Sequence, residues 1–170
     1  MMNLKFQYRS ANINEKAVKN LKNDKYDALK IAKAKATHLS KKNKNKIIIT
    51  FDTTILHMKK TIYKCHTKKC CKNTLKSFNN TSHNLYTGMV FMINNSLIRS
   101  TLTKTKIVFK KNKFIDVNKY VERNFNQISS AVGCYNVEGK GKTFFKKIEK
   151  SYFNVIGIDI IKFLKILRTI

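Results

Sequence analysis

Apolar positions along this chain recur with two different periods. Residues 46–53, Lys46-Ile-Ile-Ile-Thr-Phe-Asp-Thr53, set three isoleucines and a phenylalanine in a short run bounded by polar residues. That is the pattern of a buried strand. It predicts a strand ending at Asp52 and Thr53, so that a carboxylate emerges where a core strand reaches the surface. Residues 26–40 change period: Ala28, Leu29, Ala32, Ala36 and Leu39 recur at helical spacing and predict an amphipathic helix. Lys35 falls inside the apolar arc of that helix. A lysine there either snorkels to the rim or is aimed into a cleft, snorkelling being the commoner case.

The same reading covers the rest of the chain. Leu4, Phe6 and Tyr8 alternate as in a strand, and Asn14 is a good N-cap for a helix carrying Ala17, Val18 and Leu21. Residues 54–57 and 61–64 suggest a hairpin with its tip near 58–60. Residues 67–78 suggest a surface helix, polar apart from Cys71, Leu75 and Phe78. Residues 83–93 and 96–109 form a long β-hairpin about Asn94-Asn95, a pair that tolerates positive φ. Helices are expected over 115–125 and over 160–167, the latter apolar on most sides and so packed into the core. Four of the five glycines lie between Gly133 and Gly157, suggesting tight turns near a site. The basic loop 137–142 contains two of them but does not match the P-loop spacing. No internal repeat or separating linker is visible, so residues 1–170 are expected to form a single domain.

Composition narrows the class. At 42% hydrophobic residues the chain is too apolar for a disordered basic tail, and no run approaches a membrane span. With no secretory leader visible, a cytoplasmic protein is expected. The net charge of +27 suggests a polyanion partner, and nucleic acid is admissible. Two features weigh against it. Arginine, the preferred residue for planar phosphate recognition, occurs only at positions 9, 99, 123 and 168, and the lysines are spread along the chain. The Lys, Asn and Ile usage is that of an AT-rich genome. Against this excess of cations there are only nine carboxylates, which makes Asp52 the first candidate for chemistry. A plain cap or turn aspartate is its ordinary alternative. Cys65, Cys70, Cys71 and Cys134, with His66, invite a zinc reading, but one irregular cluster and a distant single cysteine lack the paired spacing of a structural site. Free thiols are the expectation, and disulfides are not.

Several segments, in order, resemble the Maf-like family of nucleoside triphosphate pyrophosphatases. Ile13-Asn14-Glu15 is similar to the family's I-D-E. Residues 29–36 resemble L-A-x-x-K-A, with Lys35 on the lysine. Phe51-Asp52-Thr53 resembles the end of G-A-D-T, and Tyr63-Lys64-Cys65 falls on G-K-P. The run His83 to Gly88 resembles T-H-E-V-Y-T-G. Val132 to Gly141 is similar to A-G-A-Y-G-I-Q-G-x-G, with Glu138 at the Gln position, and Ser151 to Ile158 resembles S-Y-x-N-V-V-G-L. The resemblance spans nearly the whole chain.

It implies an α/β fold, a curved mixed β-sheet flanked by helices with a cleft between two lobes. It also implies hydrolysis of a nucleoside triphosphate, non-canonical or pyrimidine nucleotides included, to monophosphate and pyrophosphate with Mg2+ or Mn2+. On it, Asp52 is the catalytic residue and, with Glu15, a metal ligand. Lys35 and Lys64 contact phosphate oxygens, and Glu138 sits beside the substrate. A homodimer stays open and no membrane partner is implied. The family's N-terminal strand and S-x-S-P-R-R loop have no counterpart here and are expected to be missing, and Ser130-Ala131 stand in place of an Asp-Lys pair. The rival expectations are a catalytically inactive, basic nucleic-acid-binding module and a zinc-binding adaptor.

Overall fold

The computed structural model describes residues 5–18 and 24–170. A short 3-10 turn, Glu15–Ala17, is capped by Asn14, whose Oδ1 accepts from the Lys16 amide at 3.2 Å. Leu4 of the expected first strand and Leu21 of the expected first helix lie outside the described residues. Phe6 and Tyr8 are in no strand and stand 86% and 89% exposed, so the alternation there does not mark a half-buried strand.

Helix α1, Asp27–Lys42, buries Ala28, Ile31, Ala32 and Ala36. Strand β1, Ile48–His57, follows. It corrects the expectation of a strand ending at Asp52: Thr53, Thr54, Ile55 and Leu56 are β-formers with no breaker among them, and the strand runs through. The predicted first arm of the short hairpin is thus the end of β1. Met58 and Lys59, both at positive φ, turn the chain into β2, Lys60–Ile62. Helix α2, Lys68–Phe78, starts at Thr67, whose hydroxyl accepts from the Cys70 amide, and it buries Cys71, Leu75 and Phe78. Strands β3, Ser82–Ile93, and β4, Ser96–Phe109, form the long hairpin, with Asn94 and Asn95 at positive φ in its turn. Then come α3, Phe114–Ile128, β5, Phe145–Glu149, the short α4, Tyr152–Ile156, and α5, Ile160–Leu167.

The strands form one open sheet in the order β2-β1-β3-β4-β5. Every pairing in it is antiparallel, where a mixed sheet was expected; α2 carries the chain from β2 past β1, so the two strands that run parallel to each other, β2 and β3, are not neighbours. Helices flank the sheet, as the α/β reading requires. Ala32, Ala36, Val90 and Met92 pack α1 against one face. Met89, Phe91 and Ile166 form a smaller cluster on the other, with Phe51 and Phe163. The largest cluster joins Ile55, Leu75, Phe78, Ile107, Phe109, Val121 and Tyr135, and it also holds Cys65, Cys71 and Cys134. Helix α5 forms as expected but lies at the periphery: Ile166 is its buried residue, while Ile161 is 56% exposed. No described helix is long and apolar enough to cross a membrane.

Candidate active site

Asp52 and Thr53 are consecutive in β1, so their side chains leave opposite faces of the sheet. Asp52 faces α1. Its register partner on β3 is Gly88, and a Cβ there would sit 2.5 Å from Leu29 Cα and 2.8 Å from the Ala28 carbonyl carbon. The missing side chain lets the helix backbone approach the sheet. The Thr50 hydroxyl fixes that approach by donating to the Ala32 carbonyl at 2.7 Å. Lys35 projects from the same helix, and its Nζ donates to Asp52 Oδ1 at 2.7 Å and lies 2.6 Å from Glu15 Oε1. The lysine does not snorkel to solvent; it bridges two carboxylates.

The electrostatics follow from this burial. Only 10% of the Asp52 side chain is exposed. Desolvation raises its pKa to about 6, against the lowering effect of Lys35 and Lys64, while the negative charge of Glu15 adds to the rise. Burial pulls the Lys35 ammonium down, but Asp52 and Glu15 more than offset it and its pKa is raised. The same contact therefore leaves both groups high: burial outweighs the ammonium at Asp52, and two carboxylates outweigh burial at Lys35. Lys64 follows β2 in a segment whose backbone pairs with Val132 across an isolated antiparallel bridge. It acts on Asp52 through its charge.

Glu138 belongs to the other face. It lines a pocket of about 240 Å3 together with Thr53, Gln127, Val132, Tyr135 and Gly157. Its loop is organised by Asn136, whose Oδ1 accepts from the Glu138 amide at 3.0 Å and the Gly139 amide at 3.2 Å. Thr53, which lines this pocket, has its hydroxyl 3.0 Å from that of its register partner Thr87 on β3. The structure thus brings Glu15, Lys35 and Asp52 into direct contact, sets Lys64 within electrostatic reach, and leaves Glu138 at a separate pocket beyond the strand.

Thr53, Gly88 and Asn136 were not singled out by their chemistry. Gly88 could have been: it is the only glycine outside the C-terminal group, an unexplained gap in a strand just before the apolar run Met89-Val-Phe-Met-Ile93. Asn136, three residues before Gly139, carries the spacing of a side chain that caps a turn. His83, within the resemblance, is structural. Its Nε2 lies 2.9 Å from the Tyr135 hydroxyl, and burial, then neighbouring His57, lowers its pKa to about 3, so it stays neutral.

The cysteines depart from expectation in two ways. Cys65 and Cys70 are disulfide-bonded, where free thiols were expected, and Cys134 is not distant but lies against Cys65 and Cys71. The fold closes a gap of 63 residues that spacing alone cannot close. His66 stays exposed outside the group.

A family model described as Maf-like protein matches residues 1–170. The chain is 28% identical over 142 residues to a dTTP/UTP pyrophosphatase of Carboxydothermus hydrogenoformans, covering 83% of this chain and 75% of that one. It is 26% identical over 138 residues to a 7-methyl-GTP pyrophosphatase of Brucella suis, covering 81% and 69%. It is 25% identical over 173 residues to a nucleoside triphosphate pyrophosphatase of Pelagibacter ubique, covering 99% and 89%.

Proposed function

This chain belongs to the Maf-like protein family, and on that premise we propose that it hydrolyses nucleoside triphosphates to monophosphate and pyrophosphate at the Asp52 site. The observation that carries the reading is the single ammonium of Lys35 held between Glu15 and Asp52. Two carboxylate oxygens converging on one positive charge form a hard-oxygen cation site, which suits Mg2+ or Mn2+. Glu15 and Asp52 would hold the ion. When bound, it supplies positive charge against the negative charge that develops on the leaving pyrophosphate.

The remaining chemistry falls to the chain's own groups. Water attacks the α-phosphorus, the α–β bridging P–O bond breaks, and pyrophosphate departs. Asp52, whose pKa burial raises to about 6 in the metal-free chain, takes the proton of the attacking water. Lys35 and Lys64 contact phosphate oxygens as compact charges. Glu138 meets the substrate from the pocket side; ionised, it only accepts hydrogen bonds, so it favours a base edge or ribose group that donates.

The relatives are named for a pyrimidine pair and for a modified purine. The test is therefore a panel of dTTP, UTP, CTP, GTP and 7-methyl-GTP with purified protein and Mg2+ or Mn2+. Stoichiometric pyrophosphate and monophosphate are expected, with activity removed in Asp52→Asn. Stepwise release of inorganic phosphate, or activity indifferent to Asp52→Asn, would sink the reading.

A further inference from the structure

The cysteines form a second cluster of candidate ligands, with no residue in common with Glu15, Lys35 and Asp52. The sulfurs of Cys65, Cys71 and Cys134 all lie within 4.8 Å of one another, and all three residues are buried. Cys70, disulfide-bonded to Cys65, stands on the exposed first turn of α2, so a fourth sulfur reaches the group from the solvent side. Three parts of the fold supply the four sulfurs: the segment after β2, two neighbouring positions on α2, and the loop that follows α3.

Three small apolar side chains filling a core would account for burial alone. Two features go further. Cys134 adopts φ +59, which disfavours any side chain, and it follows Gly133 at φ +84. The backbone accepts that cost at the residue whose sulfur closes the group. Polar atoms also surround the sulfurs: the Cys71 thiol donates to the Cys65 carbonyl at 3.8 Å, and the Thr74 hydroxyl is 3.4 Å from Cys65 Sγ.

We propose that in the reduced chain Cys65, Cys71 and Cys134, closed by Cys70, bind one thiophilic cation of the Zn2+ type. Zinc–thiolate bonds of about 2.3 Å in a tetrahedron set the sulfurs about 3.8 Å apart, so the buried three need to contract by no more than about 1 Å. The Cys65–Cys70 disulfide is the metal-free, oxidised form of the same site. A dithiol reductant converts one form to the other, delivering two electrons and two protons to the disulfide and becoming a disulfide itself. Zn2+ then displaces the four thiol protons to solvent. The ion would tie the segment next to Lys64 to the loop that leads from Val132 to Glu138.

The test titrates the full chain, reduced and stripped of metal, with Zn2+ against a chromophoric chelator, and repeats it with Co2+. One Zn2+ per chain is expected, with thiolate-to-cobalt charge transfer and the visible bands of a tetrahedral site. The oxidised chain should take up none. Cys134→Ala should weaken binding about a hundredfold or more, since most of the affinity of such sites comes from the full thiolate set. Asp52→Asn, which lies outside the cluster, should leave it unchanged, so failure here is separable from failure of the hydrolase reading. Should Cys134→Ala not fold, the cobalt spectrum of the unaltered reduced chain decides alone. Absence of stoichiometric Zn2+, absence of thiolate–cobalt bands, or uptake that persists in Cys134→Ala would overturn the proposal.

Discussion

Asp52 and Gly88 face each other across β1 and β3, and the absent side chain of one lets α1 carry a cation to the carboxylate of the other. The backbone of Leu29 occupies the space a Cβ would need. Six residues further along the same helix, Lys35 reaches the carboxylate. The contact between Lys35 and Asp52 therefore depends on a residue with no functional group.

Gly88→Ala tests this dependence. The new methyl would meet helix backbone and not the end of a flexible side chain, so α1 must shift as a unit. A stability loss of about 1–3 kcal/mol in urea unfolding is expected. Pyrophosphate release should fall by more than that loss explains under conditions where the variant is fully folded. Wild-type activity in a folded Gly88→Ala chain would show that the placement of α1 is not critical.

The acid limb of the pH–rate profile should be set by Asp52. In the metal-free chain its ionised fraction rises through about pH 6, and a cation held by Glu15 and Asp52 favours the charged form. With Mg2+ or Mn2+ bound, kcat/KM should therefore fall about tenfold per pH unit below a limb that lies under that value. The stability effect runs in the opposite direction. A carboxyl whose folded-state pKa lies above its unfolded value opposes folding when charged, and this opposition fades as the pH falls from about 6 to about 4. Relative to Asp52→Asn, the wild type should gain stability over that interval. Urea midpoints at pH 7 and pH 4.5 would show the crossing trend.

Lys35→Met removes the cation between Glu15 and Asp52. The ammonium lowers the Asp52 pKa, so without it burial and Glu15 act unopposed and the acid limb should move to higher pH. KM for the triphosphate should rise as well, through loss of a phosphate contact. Lys35→Arg keeps the charge but spreads it over a planar group, and it should restore the pH limb better than the rate. An unshifted limb in Lys35→Met would remove Lys35 from the Asp52 environment in solution.

Glu138→Gln should alter selectivity rather than catalysis. Gln can donate as well as accept, so the ratio of kcat/KM between bases that differ in donor and acceptor groups should change. Dependence on Mg2+ or Mn2+ should not. A uniform loss across the nucleotide panel would indicate a structural role for the loop organised by Asn136.

Much of this arrangement was legible in the sequence, and the reasons it was or was not are physical. Local patterns carried the long β-hairpin, α1, α2 and α3, because their apolar spacing or turn residues act within a few positions. Lys35 stood out as a charge inside an apolar arc, and the structure gives the reason: two carboxylates await it. The end of β1 was misplaced because Asp is a poor strand former, and its tolerance mid-strand depends on Lys35, distant in sequence. Phe6 and Tyr8 alternated without a sheet to receive them, since period alone does not supply a partner. The approach of Cys134 to Cys65 and Cys71 was invisible because it is a product of tertiary packing.

The alternation of β1 also makes the protein intolerant in a particular way. Asp52 serves the α1 side and Thr53 the Glu138 side only because each occupies its own parity along the strand. A slip of one residue against β3 would exchange carboxylate for hydroxyl and turn the isoleucines from one cluster toward the other. Point substitutions within β1 can be absorbed one at a time, but inserting or deleting a single residue between Ile48 and Asp52 would invert both walls together. Length in this strand should thus be under stronger constraint than the identity of most of its residues.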